Sequence, residues 1–172
     1  RSVLSSSDIQ IVKKVTEAIL NHPIAKKILE GAIFERSFYL GSYMQGKAPL
    51  RARPDAYRED GIMIDLKSAL DASKEGFIRE LATRMLHIQT AHYVKTAEPI
   101  LDIEFTNFLF IAAEKEDPWG VAIYDLAYED IIYAKELHDR MITKYMVEKS
   151  EMRKGYPIEI QTITLPAWAR NI

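Results

Sequence analysis

The sequence has no cysteine among its 172 residues. This absence excludes disulfide bonds, zinc ribbons and cysteine-bound iron–sulfur clusters, so any metal ion must be held by oxygen or histidine ligands. No apolar run approaches the roughly 20 residues that a helix needs to cross a bilayer, and the first residues show no signal-peptide pattern. We therefore expect a soluble, cytoplasmic protein that makes no use of a membrane.

The sequence also lacks a large net charge of either sign. Its formal charge is −2 at pH 7, whereas nucleic-acid-binding surfaces are usually basic. Basic side chains nevertheless cluster in one region of the chain: Arg51, Arg53, Arg58, Lys67, Lys74, Arg79 and Arg84. Because salt screens exposed charges beyond about 8–10 Å, acidic residues elsewhere would not prevent phosphate binding there. The net charge therefore neither supports nor excludes a nucleic-acid partner.

Length and apolar content predict one globular domain over residues 1–172. Apolar residues make up 48% of the sequence, which suffices for one core, and no repeat, linker or low-complexity segment divides the chain. Residues 1–31 are predicted to be an N-terminal helical segment, and residues 32–172 to be the main body with a C-terminal tail. The predicted order of helix, three strands, helix, two strands and helix indicates an α/β fold with a mixed central sheet flanked by helices.

Hydrophobic spacing gives bounds for the larger elements. Helical spacing predicts one long helix from Ser73 to about Ala97 and another from Tyr128 to about Lys154. Alternating or continuous apolar residues predict strands over residues 32–43, 105–113 and 120–126. We expect the motif at residues 165–168 to hold the tail against the body or a neighbouring subunit.

The stretch RARPDAYREDGIMIDLK, at residues 51–67, concentrates the polar residues that point to chemistry. Two short runs that favour strands flank an Asp-Gly turn, which predicts a hairpin. Side chains alternate between the two faces of a strand, so Asp65 and Lys67 share one face of the second arm. Asp55, on the first arm, can therefore converge with them.

The charges on this hairpin interrupt an apolar strand. Ile62, Ile64 and Leu66 form a predicted buried face, yet Asp65 and Lys67 stand where a central strand would continue with apolar residues. Buried charges need partners, and Mg²⁺ supplies one, since it binds a few carboxylate oxygens together with water and phosphate. Such an ion would activate a water, and the lysine would support the attacking hydroxide. The alternative is a surface hairpin with a weak ion pair between Asp65 and Lys67.

Several motifs resemble those of a known nuclease family. Pro54-Asp55, followed ten residues later by Asp65-Leu66-Lys67, matches the PD-(D/E)XK signature. The accompanying motifs are Glu35 and Ser37, ARPD at 52–55, IDLKSALDAS at 64–73, HIQTAHY at 87–93, FLFIAAEKEDPWGVAIYDL at 108–126 and LPAWA at 165–169. In this order they resemble the nuclease domain of the RecE (exonuclease VIII) type, which is frequent in phages and prophages. The resemblance extends from about Ala32 to the end of the sequence.

The resemblance implies a restriction-endonuclease-like (PD-(D/E)XK) core with a metal site on the hairpin. Asp55 and Asp65 would bind Mg²⁺, with Mn²⁺ as a substitute, helped by the Leu66 carbonyl and by Glu35 as a third carboxylate. Lys67 would support the nucleophile. An exposed strand glutamate is the alternative for Glu35.

The resemblance also implies roles for residues on the following helix and before the hairpin. Gln89 would orient the nucleophile or approach the scissile phosphate, and Tyr93, one helical turn away, would brace it or contact DNA. Without the resemblance, a solvated glutamine and a core tyrosine would be expected. Arg51 and Arg53 are candidate DNA-binding residues beside the site. His92 is interpreted as structural or backbone-contacting, because it has no ligand partner at metal-motif spacing.

The function implied is a 5′→3′ exodeoxyribonuclease that degrades double-stranded DNA from its ends in phage-type homologous recombination. The implied partners are double-stranded DNA ends, a RecT-like single-strand annealing protein and further copies of the chain in a ring-shaped tetramer. One alternative is a related endonuclease or repair nuclease, which would keep the same residues. Another is a non-catalytic DNA-end-binding module, because no residue here matches the histidine that the family places on a helix ahead of the first strand.

Overall fold

The computed structural model describes residues 5–152 and 159–166 of the chain. Within these residues the helices are α1 (Ser6–Asn21), α2 (Pro23–Leu29), α3 (Lys74–Thr83), α4 (Leu86–Leu101) and α5 (Tyr128–Met152), with a short 3₁₀ helix at Tyr43–Gln45. The strands are β1 (Ile33–Phe34), β2 (Phe38–Leu40), β3 (Leu50–Ala52), β4 (Ala56–Arg58), β5 (Ile62–Ala69), β6 (Asn107–Glu114) and β7 (Val121–Asp125). None of the helices described is long and apolar enough to span a bilayer.

Local capping chemistry explains where the first two helices begin. The Ser5 hydroxyl accepts the Asp8 N–H at 3.1 Å, and the Asp8 carboxylate accepts the Ser5 N–H at 3.0 Å, which forms a capping box at the start of α1. His22 ends α1 and caps α2, because its Nδ1 accepts the Ala25 N–H at 3.2 Å. Pro23 follows at the first position of α2, where its missing N–H leaves no helical bond unmade.

A mixed sheet of five strands, in the order β1-β4-β5-β6-β7, lies at the centre of the fold. Strands β5 and β6 are parallel, and the other neighbours in this sheet are antiparallel. Strands β2 and β3 pair separately as a two-stranded antiparallel sheet. The predicted α/β fold, with a mixed central sheet flanked by helices, is confirmed.

The predicted hairpin is formed by β4 and β5. Arg58 pairs with Ile62 at its closed end, and Gly61 in the turn has a φ of +88°, a conformation that side chains with a Cβ rarely adopt. A Cβ at this position would also lie 2.7 Å from the Glu104 carbonyl oxygen. Glycine is therefore required at position 61, both because of its left-handed φ and because a Cβ would collide with the Glu104 carbonyl.

The two faces of β5 contribute to different parts of the core, which determines the direction of the charged side chains. Met63 belongs to the cluster between the sheet and helices α3, α4 and α5, whereas Ile64 belongs to the cluster that α2 covers. Because side chains alternate along a strand, Asp65 and Lys67 continue the Met63 face. The larger cluster includes Phe38, Tyr57, Phe77, Leu86, Val94, Phe108 and Phe110.

The prediction of one strand over residues 32–43 is wrong. Two short strands occupy this segment, and β1 joins the central sheet while β2 joins the smaller one. Glu35 lies between them with a φ of 55°, which is incompatible with continued extended backbone. Alternation of side chains cannot reveal such a break, because it constrains only residues that are already in a strand.

The prediction of one helix from Ser73 to about Ala97 is also wrong. The segment forms α3 and α4, which Arg84 and Met85 separate, and Met85 has a φ of 52°.

Helix α5 ends at Met152 within the described residues. Residues 159–166 form neither helix nor strand, and Leu165 is 65% exposed. The rest of the motif predicted to hold the tail, residues 167–168, lies outside the described residues.

Candidate active site

Asp55 bridges from the end of the first hairpin arm to the second. Strand β4 pairs with β5 only as far as Ile64, so the Leu66 N–H lies beyond the last paired residue. The Asp55 Oδ2 atom accepts this N–H at 2.7 Å. This bond holds Asp55 against β5, close enough to Asp65 for its charge to raise the pKa of the Asp65 carboxyl.

Asp65 is almost fully buried, with 1% of its surface exposed. Its Oδ2 atom forms an ion pair with Lys67 Nζ, but no donor among the described residues reaches it with hydrogen-bond geometry. Burial raises the pKa of the Asp65 carboxyl to about 6, although the Lys67 ammonium opposes this rise and the Asp55 charge adds to it. The structure therefore holds a carboxylate whose hydrogen-bonding capacity is incompletely used.

Lys67 links this carboxylate to helix α4. Its side chain is 12% exposed, and its Nζ donates a hydrogen bond to Gln89 Oε1 at 3.0 Å. Gln89 Nε2 in turn donates to the Tyr93 hydroxyl at 2.8 Å. Asp65, Lys67, Gln89 and Tyr93 thus form one continuous polar chain from β5 to α4.

Tyr93 lies within the electrostatic reach of the acidic residues of the site. Burial is the main cause that raises the pKa of its hydroxyl, the Gln89 hydrogen bond lowers it, and the negative charges of Asp65, Asp55 and Glu35 raise it further. The hydroxyl therefore stays protonated at neutral pH. It can donate a hydrogen bond to an incoming anion while it accepts one from Gln89.

Glu35 lies next to Asp55, but its carboxylate faces a different partner. The Glu35 N–H donates to the Asp55 carbonyl at 3.0 Å, whereas the carboxylate pairs with Arg53 Nη2 at 2.6 Å. Both side chains are more than half exposed, at 54% and 59%. A left-handed φ on a glutamate is a strained conformation of the kind found at functional sites. Glu35 as a third metal ligand stays a prediction.

The two candidate DNA-binding arginines lie on the segment that leads to Asp55. Arg51 is exposed on β3, and its backbone carbonyl forms a hydrogen bond with His92 Nε2 at 2.9 Å. Arg53 is exposed and pairs with Glu35. The structure thus brings both arginines to the edge of the site, and the interpretation of His92 as a backbone-contacting residue is confirmed.

The chemistry of the donor set fits Mg²⁺. Asp55 and Asp65 supply carboxylate oxygens, and among the described residues the buried Asp65 Oδ2 atom contacts the Lys67 ammonium without a hydrogen bond of good geometry. Within the described residues, no three histidine, aspartate or glutamate side chains are grouped to hold an ion. Mg²⁺ tolerates this, because it commonly takes one or two carboxylates and keeps several waters. The Leu66 carbonyl stays a predicted ligand.

Two residues act from other elements: Arg84, which the sequence placed in the basic cluster, and His138, which sequence reasoning missed. The positive charge of Arg84, at the break between α3 and α4, lowers the pKa of the Asp65 carboxyl. His138, on α5, contacts His92 across a sequence separation of 46 residues. No local pattern in the sequence signals the contact between His92 and His138.

The mixed sheet, with Asp55, Asp65 and Lys67 on its central hairpin, defines a domain of the PD-(D/E)XK nuclease type. A family model agrees, since the PDDEXK-like domain of unknown function (DUF3799) matches residues 2–156. The chain therefore belongs to this family.

Comparison with solved structures supports the same fold. A crystal structure described as a "Putative exonuclease" from Eubacterium rectale superposes with a TM-score of 0.71 at 14% sequence identity, covering 97% of this chain and 67% of that one. The protein SSO0001 gives a TM-score of 0.41 at 16% identity, with 90% and 69% coverage, which is too low to support a shared fold. No curated protein matches the sequence significantly.

Proposed function

We propose that the chain is a Mg²⁺-dependent deoxyribonuclease of the RecE (exonuclease VIII) type, which hydrolyses double-stranded DNA from its ends in the 5′→3′ direction. The observation that carries the proposal is the buried Asp65 carboxylate, in contact with Lys67 and beside Asp55. A charge at the centre of a core strand destabilises the fold, and it is expected where function requires it.

Each residue of the proposed site has a distinct role. Asp55 and Asp65 hold the ion, which when bound supplies a Lewis acid that lowers the pKa of water and offsets charge on the phosphate. Lys67 stabilises the negative charge of the attacking group for in-line displacement. Gln89 fixes the direction of the lysine through its Oε1 atom, and the Tyr93 hydroxyl fixes the orientation of the glutamine amide.

A cleft beside the carboxyl end of β5, lined by three basic and two acidic side chains, is a candidate path for a nucleic-acid substrate. Its volume is about 390 Å³, and it is lined by Ser68, Leu70, Asp71, Gly76, Arg79, Glu80, Arg84 and Lys115. Arg84 pairs with Glu80, and Arg79 lies 3.6 Å from Asp71. The cleft adjoins the proposed site, because Arg84 lines it and the charge of Arg84 lowers the pKa of the Asp65 carboxyl. A phosphate backbone entering the cleft would meet positive charge close to the reacting carboxylates.

The order of motifs along the chain supports the finer parts of the proposal. A RecE-type exonuclease acts in phage-type recombination beside a RecT-like annealing protein in the cytoplasm. A ring-shaped tetramer would enclose the duplex and keep the enzyme on one DNA end. The neighbour from Eubacterium rectale is described as a "Putative exonuclease", which is consistent with attack at ends.

The proposal is tested with two DNA substrates, an end-labelled linear duplex and a covalently closed circle, each with Mg²⁺ or with EDTA. The expected result is release of nucleotides from the linear duplex with Mg²⁺ alone, with the 5′ label released first and the circle left intact. Nicking of the circle would instead identify an endonuclease. Binding to ends without release of nucleotides would identify an end-binding module.

A matched pair of variants links the activity to the site. Asp65→Asn removes a carboxylate charge at nearly constant volume, and Asp60→Asn makes the same change at the exposed hairpin turn. We expect loss of nucleotide release in the first variant and wild-type release in the second. Equal activity of both variants would contradict the assignment.

A further inference from the structure

Two histidines connect α4, α5 and β3 beside the proposed site. His92 Nε2 lies 2.9 Å from the Arg51 carbonyl oxygen, and His92 Nδ1 lies 3.1 Å from His138 Nε2. His138 is buried, with 4% of its surface exposed. Its Nδ1 atom has no hydrogen-bond partner among the described residues and lies 3.9 Å from the Asp139 carboxylate.

These contacts fix the hydrogen positions when both rings are neutral. A carbonyl oxygen can only accept, so His92 Nε2 must carry the hydrogen and His92 Nδ1 must be the acceptor. His138 Nε2 must then donate to His92 Nδ1, which leaves His138 Nδ1 without a hydrogen. Burial lowers the pKa of the His138 imidazole, and the nearby His92 and Lys95 charges lower it further, although the Asp139 carboxylate opposes this shift. A neutral His138 is therefore favoured at neutral pH.

The same helix carries the residue that contacts the catalytic lysine. Gln89 accepts from Lys67 on β5, and His92, three positions further along α4, holds the Arg51 carbonyl on β3. Buried residues such as Leu86 and Val94 already hold α4 against the core, and the His92 bond adds a polar contact between β3 and the helical turn that carries Gln89. The histidine contact therefore restricts where Gln89 can lie relative to the hairpin.

We propose that His92, held in its Nε2–H tautomer by His138, is a positioning residue for the nuclease site. Its hydrogen bond with the Arg51 carbonyl holds α4 against β3. Through α4, this bond keeps the Gln89 side chain in contact with Lys67. This inference rests on the proposed function. His92 does not touch the reacting groups, so its effect on the rate is exerted through Gln89.

The test compares two substitutions of the buried partner. His138→Gln keeps an N–H donor toward His92 Nδ1, whereas His138→Leu removes the donor but fills the buried space with an apolar side chain. Mutation of a residue that orients a metal ligand commonly lowers metal affinity or activity about 10- to 100-fold, which sets the scale for a positioning residue. We expect such a loss of kcat in His138→Leu with an unchanged KM for linear duplex DNA, and near wild-type kcat in His138→Gln.

The matched control is Lys135→Gln, which breaks the Lys135–Glu98 ion pair on the same α4–α5 interface. We expect lower stability and wild-type kcat, because this pair does not contact His92. If His138→Leu does not fold, His92→Gln and His92→Leu provide the same comparison of a retained and a lost donor.

Nitrogen-15 NMR of the His92 ring gives a readout that does not depend on activity. We expect the Nε2–H tautomer in the wild-type protein and in His138→Gln, and a mixture of tautomers in His138→Leu. An active wild type with the Nδ1–H tautomer, or equal kcat in the two His138 variants, would overturn the positioning role alone. A wild type that releases no nucleotide with Mg²⁺ would overturn the proposed function and the positioning role with it.

Discussion

Replacement of Asp65 by asparagine should make the metal-free protein more stable at neutral pH. The structure raises the pKa of this carboxyl from its ordinary value of 3.8 to about 6, mainly through burial. Each pKa unit corresponds to about 1.4 kcal/mol, so ionised Asp65 lowers the free energy of unfolding by about 3 kcal/mol relative to its protonated form. Asparagine cannot ionise, so the variant keeps the free energy of unfolding that ionised Asp65 removes.

The sign of the pH dependence follows from the direction of the shift. Because the folded-state pKa lies above the unfolded value, the folded protein binds more protons between about pH 4 and pH 6. The contribution of Asp65 to stability is therefore fully present below the unfolded pKa and is lost as the pH rises through about 6. The stability advantage of Asp65→Asn should appear over the same pH range.

Urea unfolding in EDTA, at pH values from 4 to 8, measures this effect directly. We expect the difference in unfolding free energy between Asp65→Asn and wild type to increase by about 2.5 kcal/mol across this range. Asp60→Asn is the matched control. Its hydrogen bond with Arg58 lowers the pKa of the Asp60 carboxyl below its ordinary value of 3.8, so this group titrates below the pH range of the assay and the difference between Asp60→Asn and wild type should stay nearly constant from pH 4 to 8. A constant difference for Asp65→Asn would refute the argument that this carboxylate is desolvated.

Three further predictions concern the ion, the lysine and the hairpin turn. In thermal unfolding, Mg²⁺ should raise the Tm of the wild type but not that of Asp65→Asn, because an ion that binds only the folded state stabilises it. An equal rise in Tm for both proteins would show that the ion binds away from Asp65. Lys67→Met should lower kcat for nucleotide release about 100-fold or more while retaining binding to DNA ends in a gel-shift assay, and an unchanged kcat would exclude the lysine from the chemistry. Gly61→Ala should lower the free energy of unfolding by about 1–3 kcal/mol, because of the left-handed φ and the close Glu104 carbonyl; an unchanged urea midpoint would show that the turn can relax.

Local rules account for the parts of the site that the sequence predicted. An Asp-Gly turn between two strand-forming runs determines a hairpin within a few residues, and alternation then fixes the shared face of Asp65 and Lys67. Helical spacing likewise places Gln89 and Tyr93 on one side of a helix, where they form a hydrogen bond. These contacts join residues that are close in sequence or that follow one regular period.

Other features depend on backbone conformations and contacts that no period encodes. Apolar spacing continues across Met85, so the break between α3 and α4 leaves no trace in the pattern. The pairing of Glu35 with Arg53 follows from a left-handed residue between two strands. The contact of His92 with His138 requires α4 and α5 to pack together, which is a property of the folded chain.

The central claim is that Asp55 and Asp65 hold one divalent ion beside Lys67. Diffraction from crystals soaked in Mn²⁺, with data collected at the manganese absorption edge, measures this most directly. We predict an anomalous peak in contact with both carboxylates in the wild type and no peak there in Asp65→Asn. A wild-type crystal without a peak at these two side chains would contradict the account.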